Sequence, residues 1–217
     1  MTAPSPAIPA PDRDCRLCPR LAAFLDEARQ KNPGWHNAPV NGFGPLDARL
    51  VIIGLAPGMR GANRTGRPFT GDFAGDLLYA TLDRFGLSQG IYQSRPDDGV
   101  QLINTRIVNA VRCVPPQNKP TAAEINTCRD YLRQELDQLK QARVYLTLGR
   151  VGHFSTLRCL GLKPAEAAFG HGACHRLADG RWIISSYHCS RYNTQTGRLT
   201  AEGFASVFRT ALDLLGK

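Results

Sequence analysis

Residues 50–79 read LVIIGLAPGMRGANRTGRPFTGDFAGDLLY, and this stretch decides the fold class. Leu50, Val51, Ile52 and Ile53 form a short apolar, β-branched run that predicts a buried strand. The run stops at Gly54. Glycines then stand at 54, 58, 61, 66, 71 and 75, prolines at 57 and 68, and arginines at 60, 64 and 67. From Gly75 to Leu87 the spacing of Leu77, Leu78, Leu82 and Phe85 predicts a helix. A strand feeding a long cationic, glycine-rich loop and then a helix brings backbone N–H groups and guanidinium groups to the carboxyl end of a sheet. Open α/β folds bind ligands there. Phe69 is the one aromatic and Asp72 the one acid of that loop.

Working outward, Cys15 to Arg29 predicts a helix, and residues 31–47 an irregular arm rich in proline, glycine and asparagine. Residues 88–98 are turn material. A second strand is expected from about Val100 to Val111, ending at Cys113. Thr121 and Glu124 form a capping box that opens a helix running to about Leu139. Arg143 to Leu148 reads as a third strand with a helix over 149–160, and Trp182 to Ser186 as a fourth. Residues 161–180, which contain FGHG, are expected as loop, and Glu202 to Leu215 as a closing helix. Alternating strands and helices indicate an α/β protein: a central, mainly parallel four-stranded sheet with helices on both faces, three layers in all. The expected organisation is a flexible tail over 1–14 and a single domain over 15–217. The loops at 54–72, 113–120 and 187–200 all follow strands and so share one rim.

The net charge is +9, and 22 arginines stand against 5 lysines. Arginine binds phosphate bidentately and stacks on bases, so a nucleic acid or other polyanion is the favoured partner. A GC-rich genome accounts for the Arg/Lys ratio alone equally well, but not for the net charge. The tail MTAPSPAIPAPDRD is too polar and proline-broken for a signal peptide, and no apolar window reaches membrane-spanning length. A soluble, cytoplasmic protein with no membrane partner is expected. Seven cysteines in a reducing compartment rarely mean disulfides. Cys15 and Cys18 form a C-x2-C; Cys113 and Cys128 form a wider pair that a fold can close. Four such thiolates suit zinc or an iron–sulfur cluster. Cys159, Cys174 and Cys189 read as inert buried thiols.

The glycine loop lacks both GK[ST] and GxGxxG, so it is no standard nucleotide loop, although a phosphate loop of another kind fits its pattern. Phe69 suits stacking on a flat ring. Asp72, among arginines, is expected to have its pKa depressed and to act as a base or cation-stabilising charge; its rival reading is a helix N-cap. His188 is placed to hydrogen-bond a ligand carbonyl, and Ser190, Arg191 and Arg198 offer donors to a phosphate backbone. Asn109 and Asn118 each present a donor and an acceptor to a base edge, with Asn118 equally readable as a turn asparagine. His171 and His36 are weaker candidates.

GLAPG with NRTGRPFTGD, CRLC, AVRCVPPQNKPT with Cys128 beyond it, LTLGR, FGHG and SYHCSRYNTQTGRLT together resemble the iron–sulfur uracil-DNA glycosylases, above all the family-5 or type B branch. The likeness runs from about Cys15 to Thr200. The resemblance implies a glycosylase fold holding a structural [4Fe–4S] cluster on Cys15, Cys18, Cys113 and Cys128. It implies that Phe69 stacks on a flipped base beside the turn of Gly54, Leu55, Ala56 and Gly58, with Asn109 reading the base. Asp72, Asn118 and His188 would be catalytic, and Arg60, Arg64, Arg67, Ser190, Arg191 and Arg198 would hold the DNA. The expected activity is monofunctional removal of uracil and other deaminated bases from DNA, by a monomer. Two positions depart from the related family-4 pattern: Leu55 stands where GEAPG has an acid, which is typical of family 5, and Cys189 stands where HPS has proline. Asn109 replaces the alanine of some family-5 members and is expected to narrow the substrate range. The rival readings are a phosphohydrolase, for which the rim acids are too few, and a non-catalytic iron–sulfur DNA-binding or sensing protein.

Overall fold

The computed structural model describes residues 10–216. Most of the expected flexible tail, residues 1–9, lies outside the described residues. Residues 12–14 are tied down: the Arg13 carbonyl accepts from the Arg29 guanidinium at 2.7 Å, and Asp14 pairs with the same arginine. The elements, in order, are α1 (Pro19–Lys31), β1 (Leu50–Gly54), α2 (Ala62–Thr65), α3 (Phe73–Arg84), β2 (Ser88–Gln89), β3 (Gln101–Leu102), β4 (Thr105–Asn109), α4 (Ala122–Gln138), β5 (Val144–Leu148), α5 (Arg150–Cys159), β6 (Cys174–Arg176), β7 (Trp182–Ser186), α6 (Arg191–Gln195) and α7 (Ala201–Leu215).

The main sheet has the order β4-β1-β5-β7-β6. Four strands are parallel, in register Leu50 with Thr105, Leu50 with Val144, and Val144 with Trp182. The expected four-stranded sheet therefore gains a fifth strand, β6, antiparallel on the edge against β7. It lies in the segment expected as loop, because three half-exposed residues, CHR, carry no apolar alternation. The single strand expected over 100–111 breaks in two. Asn104 takes φ 50° between β3 and β4, and its Oδ1 accepts from the Arg49 amide at 2.9 Å. β3 instead pairs with β2 in a separate ribbon.

Strand residues alternate between two cores, which is what makes three layers. Leu50, Ile52, Leu146 and Ile184 face α3 and α7, where Leu78, Leu82, Phe204 and Phe208 are fully buried. Val51, Ile53, Tyr145 and Ile183 face α4 and α5, against Leu132, Leu136 and Leu157. Each fully buried Leu or Phe contributes about 1.5–3 kcal/mol. A third cluster holds α1 to the chain after β4 through Leu21, Leu25, Val111 and Val114. The expected capping box at Thr121 and Glu124 is present.

The glycine loop is not held by glycines alone. Arg67 is buried inside it and makes a two-pronged ion pair with Asp98, both contacts 2.7 Å, with side chains 5% and 0% exposed. Its guanidinium lies over the rings of Phe43, Tyr79 and Tyr92. The hydrogen bonds from Arg67 hold the Asp98 carboxyl far below the usual carboxylate range. Removing one partner of such a pair strands a buried charge. Asp98→Ala should cost about 3–5 kcal/mol, measured as a lowered urea midpoint at unchanged slope; a variant within experimental error of the native midpoint would refute this account of the loop.

Candidate active site

One cavity of about 570 Å³ opens at the carboxyl rim of the sheet, and all three loops expected to meet there line it. From the loop after β1 come Leu55, Ala56, Gly58, Arg60, Phe69 and Asp72; β4 gives Asn109, the next loop Asn118, and the loop after β7 His188, Ser190 and Arg191. Gly54 lies just beneath. A Cβ there would fall 2.4 Å from Asn109 Oδ1 and 2.6 Å from Phe69 Cζ, so only glycine admits both side chains to the pocket floor.

Phe69 is held in a backbone conformation that side chains seldom adopt, φ 53°. Its carbonyl accepts from the Tyr92 hydroxyl at 3.3 Å, and the same hydroxyl accepts from the Gly71 amide at 3.2 Å. The ring lies 5.8 Å from the His188 ring at an interplanar angle of 24°. His188 has no charged partner among the described residues, and burial pushes its pKa down to about 4. At neutral pH it is an uncharged imidazole that can donate or accept one hydrogen bond. Asn109 is 2% exposed and its Oδ1 is buried without a partner. A buried orphan acceptor costs about 1–3 kcal/mol unless a ligand donor reaches it.

Asp72 combines both readings. Its Oδ1 caps α3 by accepting from the Gly75 amide at 3.1 Å. Its Oδ2 is turned over the glycine loop, where a Cβ on Gly61 would meet it at 2.1 Å. The expected depression of its pKa by arginines does not occur. Burial first, and Asp76 second, raise it. The arginines are engaged elsewhere: Arg64 donates to the Arg60 and Gly71 carbonyls, and Arg67 to Asp98. A sequence pattern cannot say which way a guanidinium turns.

Arg67 is therefore withdrawn from the expected DNA-contacting set, being buried and paired. Arg60, Arg64, Arg191 and Arg198 are exposed, with Arg191 over the Phe73 ring and Arg198 over the Tyr187 ring. Ser190 caps α6, accepting from the Asn193 amide. His171 and His36 bond to their own surroundings, away from the cavity. One residue the motifs did not single out is Tyr192, which opens α6 beside the cavity and is 71% exposed. The signal was an aromatic set in an otherwise polar run, SRYNTQTGR.

Between the start of α1, the chain after β4 and α4, Cys15, Cys18, Cys113 and Cys128 line one small apolar cavity with Leu21 and Tyr131. None is in a disulfide. The Arg112 amide donates to Cys128 Sγ at 3.3 Å. Burial raises the Cys18, Cys113 and Cys128 thiols, the last to about 11, so a bound cation is what would keep them ionised. Among the described residues no three His, Cys, Asp or Glu side chains close on a single-ion site. Four thiols gathered in one small cavity are a donor set that a zinc ion or an iron–sulfur cluster takes.

An open parallel sheet with a deep rim pocket, floored by an aromatic ring and edged with amides, an imidazole and free arginines, defines an α/β protein built to receive a flat polar ring. Residues 41–212 match the Uracil DNA glycosylase superfamily, and the chain belongs to that family. It is 46% identical to the type-5 uracil-DNA glycosylase of Thermus thermophilus, over 93% of this chain and 94% of that protein. It is 40% identical to the type-5 enzyme of Pyrobaculum aerophilum, covering 91% and 88%, and 37% identical to the type-4 enzyme of Archaeoglobus fulgidus, covering 82% of each. The neutral histidine is directly testable: an NMR titration should find the His188 imidazole uncharged through neutrality and protonating only near pH 4. A transition near that of a free imidazole, about 6.5, would contradict it.

Proposed function

We propose that this protein is a DNA repair glycosylase that flips uracil, and other deaminated bases, out of DNA and hydrolyses the N-glycosidic bond. The observation carrying this is the single cavity shared by Phe69, Asp72, Asn109, Asn118 and His188. The bond is inaccessible inside a stacked duplex, so extrusion comes first, at a cost of a few kcal/mol that is least at a mismatch. The extruded ring lies on Phe69. The orphaned Asn109 Oδ1 accepts a ring N–H, which selects for bases that carry one at that edge. Exposed Tyr192, next to the cavity-lining Arg191, offers a ring that can fill the emptied stack.

As the C1′–N bond breaks, its electron pair leaves with the base and positive charge grows on the sugar. Neutral His188 and Asn118 donate to the departing anion. Asp72, ionised, stabilises the sugar cation and takes a proton as water oxygen bonds to C1′. Its raised pKa makes it, when ionised, a better base than a solvated aspartate. Among the described residues no lysine lines the cavity, Lys119 beside Asn118 being the one rim lysine, so hydrolysis without a Schiff base ends at an abasic site without strand cleavage. Arg60, Arg64, Arg191 and Arg198 bind backbone phosphates as a monomer engages DNA in the cytoplasm. No helix among the described residues is long and apolar enough to cross a membrane.

A [4Fe–4S] cluster would be held by Cys15, Cys18, Cys113 and Cys128, which come from the segment before α1, the segment after β4 and α4. Its chemistry here is cross-linking, and the pocket residues carry the reaction. Purified protein should be brown, and Cys113→Ser should lose visible absorption and iron and melt at lower temperature; a colourless, iron-free native protein of full stability would exclude the cluster. For catalysis, the protein is incubated with uracil-containing oligonucleotide in EDTA, then alkali; strand breaks confined to the alkali-treated sample identify a monofunctional glycosylase. Asp72→Asn should slow single-turnover release by roughly a hundredfold or more with DNA affinity retained. In the native protein the rate should fall on acidification with a midpoint above the ordinary aspartate value of about 3.9, because the carboxylate must be ionised and burial raises its pKa. Unchanged release by Asp72→Asn would remove this residue from the chemistry.

A further inference from the structure

A second cavity, of about 410 Å³, lies between α4 and α5 and has no lining residue in common with the base pocket. Its floor is apolar, from Ile125, Val151 and Phe154, and its edge carries Arg129, Arg150 and Arg158. None of these arginines is ion-paired among the described residues, and the acids closest in sequence on α4 are committed, Asp130 to Arg133 and Glu124 to Arg20. Arg129 and Arg158 both donate to the Asn126 side-chain oxygen, at 2.6 and 3.4 Å, which holds two cations on one neutral acceptor. Arg129 Nε is buried with no partner at all. Burial, and then Arg158, lower the Arg129 pKa. The Arg150 guanidinium is laid over the Phe154 ring, 5.0 Å from its centroid.

Three gathered cations without a counter-charge are a standing cost to the free protein, and an arriving anion relieves it. The floor limits what that anion is. A phosphate backbone would satisfy the guanidiniums and leave Ile125, Val151 and Phe154 wet. A carboxylate-bearing chain that also carries a large apolar side chain satisfies both, and arginine with aromatic surface is the usual composition of such anchor points. We propose that the α4–α5 groove is a docking site for a short acidic peptide segment of a partner protein, its carboxylates on Arg129, Arg150 and Arg158 and its apolar side chain on the Phe154 floor. The groove adjoins the catalytic rim. Gly149 precedes Arg150, and a Cβ at Gly149 would lie 3.4 Å from the Cβ of His188. A partner held here would be delivered beside the base pocket without entering it.

The test uses the full chain and fluorescence anisotropy with a labelled synthetic peptide of several aspartates followed by leucine and phenylalanine. A labelled duplex lacking damage is run in parallel. The peptide should bind, more weakly as salt is raised, and Arg150→Ala and Arg158→Ala should each weaken it about tenfold. Both arginines are exposed, so neither variant threatens folding. Replacing the leucine and phenylalanine of the peptide with serine should weaken binding comparably, while DNA affinity and base release stay at native levels. Absence of peptide binding, or binding indifferent to either arginine or to the apolar residues, would overturn the proposal. So would a loss of duplex affinity in the arginine variants as large as the loss of peptide affinity, which would give the groove to the DNA backbone.

Discussion

The buried pair of Arg67 with Asp98 is the constraint on which the pocket depends. It fixes Arg67 among Phe43, Tyr79 and Tyr92, and the Tyr92 hydroxyl in turn holds the Phe69 carbonyl and the Gly71 amide. Phe69 pays for its left-handed backbone, a conformation costing about 1–3 kcal/mol, only because that scaffold leaves it nowhere else to go. Desolvating a charge pair is a poor way to gain stability. Here it fixes a geometry instead: an aromatic floor set at one height under the rim.

The same logic governs where the positive charge goes. Arg106 and Arg112 share Glu135 in a second buried network, with Arg112 2% exposed, and Arg20 is paired to Glu124. Arg106 and Arg112 serve the interior, and all three arginines bring their own counter-charges. Those around the base pocket and the α4–α5 groove do not, so the field they set up is directed outward, at a polyanion on one side and a carboxylate-rich chain on the other.

Much of this was legible in the residues. The β1 run, the helix opened by Thr121 and Glu124, and the convergence of three loops follow from periodicity, capping and the parallel-sheet rule, all local or topological signals. The four cysteines could be paired on paper because C-x2-C is local and the other two close a helix onto a strand end. What could not be read was non-local. β6 is a strand only because β7 offers it an edge, and the break at Asn104 depends on an amide of Arg49 far away in sequence. Arg67 looks in sequence like Arg60 and Arg64, yet an acid thirty-one residues on takes it inward. Asp72 looked surrounded by cations for the same reason, and its partners turned out to be a helix end and a glycine turn.

That last difference changes the chemistry rather than blurring it. A carboxylate clamped by arginines would be a weak base and a neutralised charge, of little use to a sugar cation. With the arginines drawn off, Asp72 has a higher proton affinity, while desolvation moves His188 the other way and keeps it neutral. The two shifts have one cause, the exclusion of water, and opposite signs because one group is charged when deprotonated and the other when protonated. In its ionised form Asp72 presents a negative edge to the sugar, and neutral His188 an uncharged donor to the base. Breaking a bond into a cation and an anion needs that polarity, and a flat neutral ring can enter before any charge has formed.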